Sequence, residues 1–268
     1  MGHRGRTPGV GLTTAAVRTI LGPPDEAGGL AEAVAHRLGE AIRLGLILDG
    51  ERLPSEARLA EQLGVSTVTL REALAALRNQ RLVVTRRGRG GGTVVRAPED
   101  LAEGLVDRLR RFNAQDLRDL GDQRGAVSGA AARLAAQRAL PVEVDGLHQQ
   151  VERLQAATTR SERRRADTQF DVEVAAAAQS PRLTREVLRL RAEVGDLLSL
   201  QIDEQDHRDA VQARRALVEA IERREADRAR ELAERQVELD TARLLRLRLR
   251  IHELGRAGGS AALPGGGG

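Results

Sequence analysis

The stretch from Leu53 to Arg96, LPSEARLAEQLGVSTVTLREALAALRNQRLVVTRRGRGGGTVVR, constrains this chain more than any other. Two short helical patterns meet at a glycine, and two β-branched runs follow, separated by a Gly/Arg loop. Ser55 is placed to open the first helix, with Pro54 before it and Glu56 in the first turn, where the macrodipole favours an acid. Leu59, Ala60 and Leu63 share one face. Gly64 supplies the C-terminal turn, and Ser66 or Thr67 caps the second helix, in which Val68, Leu70, Ala73, Leu74 and Leu77 recur at helical spacing. Leu82–Thr85 and Thr93–Arg96 read as strands, with residues 86–92 as the loop between them. That order is the order of a winged helix-turn-helix.

Such an arrangement presents the start of its second helix to base edges while the helix before it crosses the backbone. Ser66, Thr67, Thr69 and Arg71 are the polar side chains so placed. Arg86, Arg87 and Arg89, with Gly88 among them, bring charge to the wing tip without bulky neighbours, and neutralisation of phosphates supplies most DNA affinity. A bare packing motif with a solvated basic loop would not require turn, second helix and basic wing to occur together in this order.

LPSE, then LAEQLGVS, LREALAALRNQRLV and RRGRGGGTVV, resemble the DNA-binding domain of the GntR family of bacterial transcription regulators, over about seventy residues. Family members commonly carry an Arg directly after PSE and another at the second position of the recognition helix. Ala57 and Thr67 stand there in this chain, whereas Arg71 and the wing glycine, Gly88, are retained. The resemblance therefore implies DNA binding but not the family's usual operator.

The chain has 268 residues, room for two domains. It lacks Trp, Tyr and Cys and has only two Phe, so disulfides and thiolate metal sites are excluded and the core must come from Leu, Val, Ile and Ala, a composition suited to packed helices. All 43 basic residues are Arg. Residues 1–97 hold 14 Arg against 9 acids, and the rest 29 against 30, so the positive excess lies with the DNA-binding part. No uncharged apolar run approaches the length of a membrane span and no signal-peptide core is evident, so a soluble cytoplasmic protein is expected, with no membrane partner.

Residues 1–29, rich in Gly, Pro, Thr and Arg, read as a flexible arm whose Arg4, Arg6 and Arg18 are expected to be solvated, the alternative being contact with the DNA backbone. Leu30 to Leu46 is a helix with Val34, Leu38 and Ile42 on one side, so residues 30–97 form the winged-helix domain. Pro98 ends the second strand and marks the boundary. Residues 98–254 have helical periodicity with breaks near Asn113, Pro141, Ser180-Pro181 and Asp203–Asp209, which predicts an all-α bundle with helices at roughly 101–111, 116–138, 143–159, 162–179, 182–202, 207–224 and 226–252. Residues 255–268 read as a disordered Gly-rich tail. The fold class is mainly α, with a small two-stranded wing.

DLRDLGDQRGAVSGAAARLAAQRA, ADTQFDVEVAAAAQSPRLTREVLRLR and RRALVEAIERREADRARELAERQVE resemble the all-helical FCD ligand-sensing domain of the FadR-like branch of the same family. In that branch many members hold a divalent metal with an Asp, a His one turn later and a His on each of the last two helices, a spacing that presents N and O ligands to one ion. The matching positions are Asp167, Asp171, Arg214 and Gln236. A guanidinium cannot ligate a cation, so no metal cofactor is expected. Arg214 is expected to pair with the two acids inside the bundle instead, the alternative being that both acids face solvent from a surface helix. Arg124 matches the Arg of the R-x-x-L-E motif, whose side chain points into the effector pocket. Here Ser128 replaces the motif acid, and an exposed helix charge is the competing reading. Arg124, Asp167, Asp171, Arg214 and Gln236 are thus the candidate effector site. His207, ahead of the penultimate helix, is a candidate cavity residue, and His36 has no partner visible in the sequence.

The resemblance implies a DNA-binding transcription regulator, read here as a repressor, that binds an inverted repeat as a homodimer and responds to a small metabolite, for instance a carboxylate. A different class, a nonspecific architectural DNA-binding protein whose sensor domain only dimerises, is also compatible with the altered metal positions. An enzyme is not expected, since the chain has no recognisable nucleophile–base–acid set, P-loop or dinucleotide fingerprint.

Overall fold

A computed structural model describes residues 29–47, 49–86, 92–96, 105–198, 200 and 203–259. Helix α1 (Leu30–Arg43) packs its apolar face, centred on Val34, Leu38 and Ile42, under α3, and ends three residues before the expected Leu46. Helix α2 (Glu56–Leu63) starts on Ser55, whose Oγ faces the Arg58 N–H at 3.5 Å. It stops at Gly64, whose φ of 65° lets its N–H turn back to the Ala60 and Glu61 carbonyls. Ser66 rather than Thr67 caps α3 (Thr67–Asn79), with Oγ accepting the Thr69 N–H at 3.1 Å.

Strands β1 (Val83–Arg86) and β2 (Gly92–Val95) pair antiparallel, Val83 opposite Val95 and Arg86 opposite Gly92. The first begins one residue later than periodicity suggests. The cause is the end of α3: Arg81 takes a left-handed φ of 60°, and the Leu82 N–H returns to the Leu77 carbonyl at 3.0 Å, so Leu82 belongs to the helix cap. Residues Gly50 to Leu53 run along the outer edge of β2, with Leu53 N–H on the Thr93 carbonyl and Val95 N–H on the Glu51 carbonyl.

The second part is an antiparallel bundle: α4 (Leu105–Arg111), α5 (Ala114–Arg138), α6 (Pro141–Ala156), α7 (Arg160–Ala177), α8 (Pro181–Leu198), α9 (Glu204–Glu222) and α10 (Ala226–Gly259). The expected breaks are caps. Asn113 Oδ1 accepts from the Gln115 and Asp116 N–H groups while Asp116 Oδ2 accepts from Asn113 N–H, and Asp203 and Thr159 do the same for α9 and α7. Pro141 and Pro181 occupy first helical positions, where a missing N–H costs nothing. Helix α10 runs to Gly259, past the residue at which a disordered tail was expected to begin. The N-terminal arm up to residue 28, the 97–104 domain junction and residues 260–268 lie outside the described residues.

Helices α5 and α10 pack closely along their length. Gly121 permits this: a Cβ there would stand 2.5 Å from Thr241 Oγ1 and 2.8 Å from its Cγ2. Phe170, fully buried on α7, sits among Leu147, Val151, Val218 and Ile221 in one bundle core. The winged-helix core is continuous with α7 and α8, because Val172, Ala176 and Leu188 join the cluster built on Leu38, Leu70 and Leu74.

Candidate functional site

The candidate residues fall in two places. The first is the outer face of α3. Ser66, Thr67 and Arg71 are exposed, as is Arg86 at the end of β1. Thr69 is half-buried, and its hydroxyl lies 2.8 Å from Ser66 Oγ, so the two hydroxyls satisfy each other. The Arg71 Nε–H donates to Glu56 Oε2 at 2.7 Å, an exposed pair that links the first turn of α2 to α3. Arg87, Gly88 and Arg89 fall outside the described residues. One apolar position is misread by periodicity: Val68, grouped with Leu70 and Leu74, is 61% exposed, because its place in the first turn points away from α1. Leu70, Ala73, Leu74 and Leu77 are buried as expected.

The second place is inside the bundle, where the expected internal cluster forms. Arg214 Nη2 lies 2.8 Å from Asp167 Oδ1 and 3.4 Å from Asp171 Oδ1, with its Nε–H also on Asp167 Oδ1 at 3.2 Å. Its guanidinium carbon sits 5.2 Å from the centre of the Phe170 ring, a cation–π distance. A second cation, absent from the expected set, completes the cluster: Arg191 on α8 places Nη2 2.8 Å from Asp167 Oδ2 and Nη1 3.2 Å from Asp171 Oδ2, and also donates to Thr168 Oγ1 at 3.1 Å. Two carboxylates one turn apart are thereby clamped by two buried guanidiniums. Burial alone would raise the Asp167 carboxyl, but Arg214 and Arg191 outweigh it and hold the group well below the usual carboxylate range. Burial would likewise lower the Arg214 and Arg191 guanidiniums, and the same acids reverse it and push both up.

Arg124 is in a different state. It is buried, 4% exposed, which excludes the reading as an exposed helix charge, and its one ion pair among the described residues is a long one: Nη2 to Asp240 Oδ2 at 3.3 Å. Asp240 is shared, accepting from Gln236 Nε2 at 3.0 Å and lying 3.8 Å from Arg243 Nη1. Burial therefore prevails at Arg124 and pushes its guanidinium below its ordinary value, with Asp240 offsetting only part. Arg124, Ser128, Asp171, Arg214, Gln236 and Asp240 line a cavity of about 30 Å³. Asp167, Arg191 and His207 face a neighbouring one of about 40 Å³, which Gln236 and Asp240 also border. A single water needs roughly 10–15 Å³ by such a measure, so both are narrow. Burial and Arg163 push the His207 imidazole below its usual value. His36 does find a partner, with Nδ1 3.4 Å from Glu40 Oε2.

Four of the five expected effector residues thus share one cavity, with Asp167 across the ion cluster beside the other. Arg191 and Asp240 were the omissions. Both interrupt apolar stripes, Leu183-Val187-Arg191-Val194 on α8 and Ala233-Val237-Asp240-Leu244 on α10, and a charge inside a stripe is the signal that marks them. The donor set does not fit the divalent ion that the resemblance implies: both carboxylates are taken by guanidiniums, and the two imidazole positions on the last helices hold an Arg and an amide. Among the described residues no helix is long and apolar enough to cross a membrane.

Residues 30–95 match the family described as bacterial regulatory proteins, gntR family, and residues 119–239 match the FCD domain. A protein of Mycobacterium gastri named as an HTH-type transcriptional regulator, RmpR, is 43% identical over 164 residues, 61% of this chain and 60% of that protein. The Glc operon transcriptional activator of Escherichia coli is 37% identical over 112 residues, 42% of this chain and 44% of its own length. The chain thus spans less than two thirds of the length of these curated relatives. Among solved structures, E. coli McbR/YncC overlays with a TM-score of 0.49 at 20% identity, covering 82% of this chain and 99% of that one.

Proposed function

We propose, for a chain that belongs to the GntR family of transcription regulators and carries an FCD domain, that it is a homodimeric, operator-specific repressor released or tightened by a small anionic metabolite bound in the helical bundle. The observation that carries the DNA part is the Ser66-capped α3, whose first turn stands in solvent and whose far end leads directly into the wing strands. Ser66, Thr67, Thr69 and Arg71 face the groove, and Arg86, Arg87, Gly88 and Arg89 follow the backbone. One winged helix offers little contact area, which favours two half-sites and a dimer. As a repressor, the bound dimer would act by excluding other proteins from the same DNA.

Arg124 carries the effector part. A buried guanidinium with one long, shared ion pair gains most from a carboxylate that accepts its fork bidentately. Arg191 Nε, buried without a hydrogen-bond partner on the neighbouring cavity, is a further donor. The cavities are too narrow for a metabolite as they stand, so a ligand must displace Asp240 or shift α10. Asp171 and Arg191 each precede a residue, Val172 and Ala192, packed on the winged-helix core, so a change at the ion cluster bears directly on how the DNA-binding domain is held. A ligand acts only through its different affinity for the two arrangements.

The test is selection of duplexes from a random library with the full chain, followed by titration with small mono- and dicarboxylates and phosphate esters. A discrete inverted repeat, bound by two chains and released or tightened by one anion class, is the expected result, with the anion's effect lost in Arg124→Met. Equal affinity for all sequences would establish the architectural alternative instead, and a monomer on DNA would remove the dimer.

A further inference from the structure

The first turn of α3 is unusual in what it presents. Val68 is 61% exposed, the most exposed large apolar side chain described in the winged-helix domain. Its polar neighbours are largely occupied: the Ser66 and Thr69 hydroxyls bond to each other at 2.8 Å, Ser66 Oγ also accepts the Thr69 N–H, and the Arg71 Nε–H is held by Glu56 at 2.7 Å. The tip of the helix that enters the groove is therefore an isopropyl group flanked by short hydroxyl side chains. Base edges in the major groove offer hydrogen-bond donors and acceptors at every pair, and one apolar group, the C5-methyl of thymine. An exposed valine gains nothing from the former and buries area against the latter.

Resting on the reading of α3 as the recognition helix, we propose that Val68 is a specificity-determining residue that reads a thymine methyl, so that each half-site carries an invariant T·A pair where α3 enters the groove. The hydroxyls of Ser66 and Thr69 close the helix cap and position Val68, while Arg71, once released from Glu56, reaches the next base or phosphate.

The experiment uses the full chain and the duplex enriched from a random library. Each thymine is replaced singly by deoxyuridine, which removes only the methyl, and binding is measured for the parent, Val68→Ala and Val68→Ile. The parent is expected to lose roughly fourfold in affinity at one thymine per half-site, the size of one buried methyl group. Val68→Ala binds the thymine duplex more weakly and is indifferent to that replacement, whereas Val68→Ile retains the dependence. The melting temperature of both variants stays at the parent value, because the side chain contributes little to the core. An enriched duplex in which no thymine is sensitive, or in which Val68→Ala is as sensitive as the parent, overturns the assignment while leaving sequence-specific binding intact. A library from which nothing is enriched overturns the recognition-helix reading and this assignment with it.

Discussion

The winged-helix domain and the helical bundle dispose of charge in opposite ways. In the first, the core around Leu38, Leu70 and Leu74 is wholly apolar and the arginines stand outside, as Arg71 and Arg86 do. In the second, Arg124, Arg191 and Arg214 are turned inward to meet Asp167, Asp171 and Asp240. An external polyanion is met by cations that keep their hydration until contact, so the cost of desolvation is deferred to binding. Cations already buried are desolvated in the folded state and must be matched there, which makes their pairing sensitive to any new charge that enters. One region holds its cations on the surface, where a large polyanion can reach them; the other holds them inside, paired with its own acids.

The sharpest way to break this contrast is to remove one buried cation. Arg214→Ala leaves Asp167 and Asp171 with Arg191 alone and should cost about 3–5 kcal/mol in urea unfolding, whereas Arg71→Ala should leave the midpoint where it is. An unchanged midpoint for Arg214→Ala would mean the cluster contributes nothing to folding. Acid should expose the same asymmetry. The Asp167 carboxyl is depressed in the folded state, so its contribution is complete above the unfolded value of about 4 and fades as pH falls below it. Stability measured from pH 6 to pH 3 should fall, and the fall should be shallower in Asp167→Asn. Zinc and chelator should leave the parent's melting temperature alone, while Asp171→His, Arg214→His and Gln236→His combined should make it rise with zinc.

On the DNA side the expected effects are smaller and confined to binding. Arg71→Ala should weaken the selected duplex by about 1–3 kcal/mol and relax one position, if the side chain leaves Glu56 for a base. Arg87→Ala and Arg89→Ala should instead weaken all duplexes alike and reduce the salt slope by about 1 each. The smallest effect is conformational: Arg81→Gly, at a φ of 60°, relieves a left-handed cost of roughly 1–2 kcal/mol and loses part of it to glycine's greater chain entropy, so it should stabilise the winged helix slightly without touching DNA affinity.

How far the chain could be read in advance varied with the range of the interaction. Ser55, Gly64 and Ser66 cap and stop helices through bonds to residues three or four away, and they stand where the sequence places them. The start of β1 was misjudged by one residue because Leu82 has two local uses, strand and helix cap, and the left-handed Arg81, a residue type that does not advertise that conformation, decides between them. Val68 was misjudged because helical periodicity cannot tell the apolar stripe from a neighbouring position in the first turn, which no helix of the described residues covers. In the bundle, Asp167, Asp171 and Arg214 were legible through a family pattern, whereas Arg191 and Asp240 were legible only as charges inside apolar stripes.

By itself the sequence determined the order of elements, their caps, the Ala- and Leu-built helical class and the placement of a basic wing after a helix-turn-helix, because these depend on dihedral preferences and on contacts within a few residues. Only the tertiary structure decided which charges are internal. Arg191 meets Asp167 across 24 residues, Arg214 meets it across 47, and Arg124 meets Asp240 across 116. A guanidinium's burial is set by whichever helix happens to lie opposite it, and no local rule carries that information.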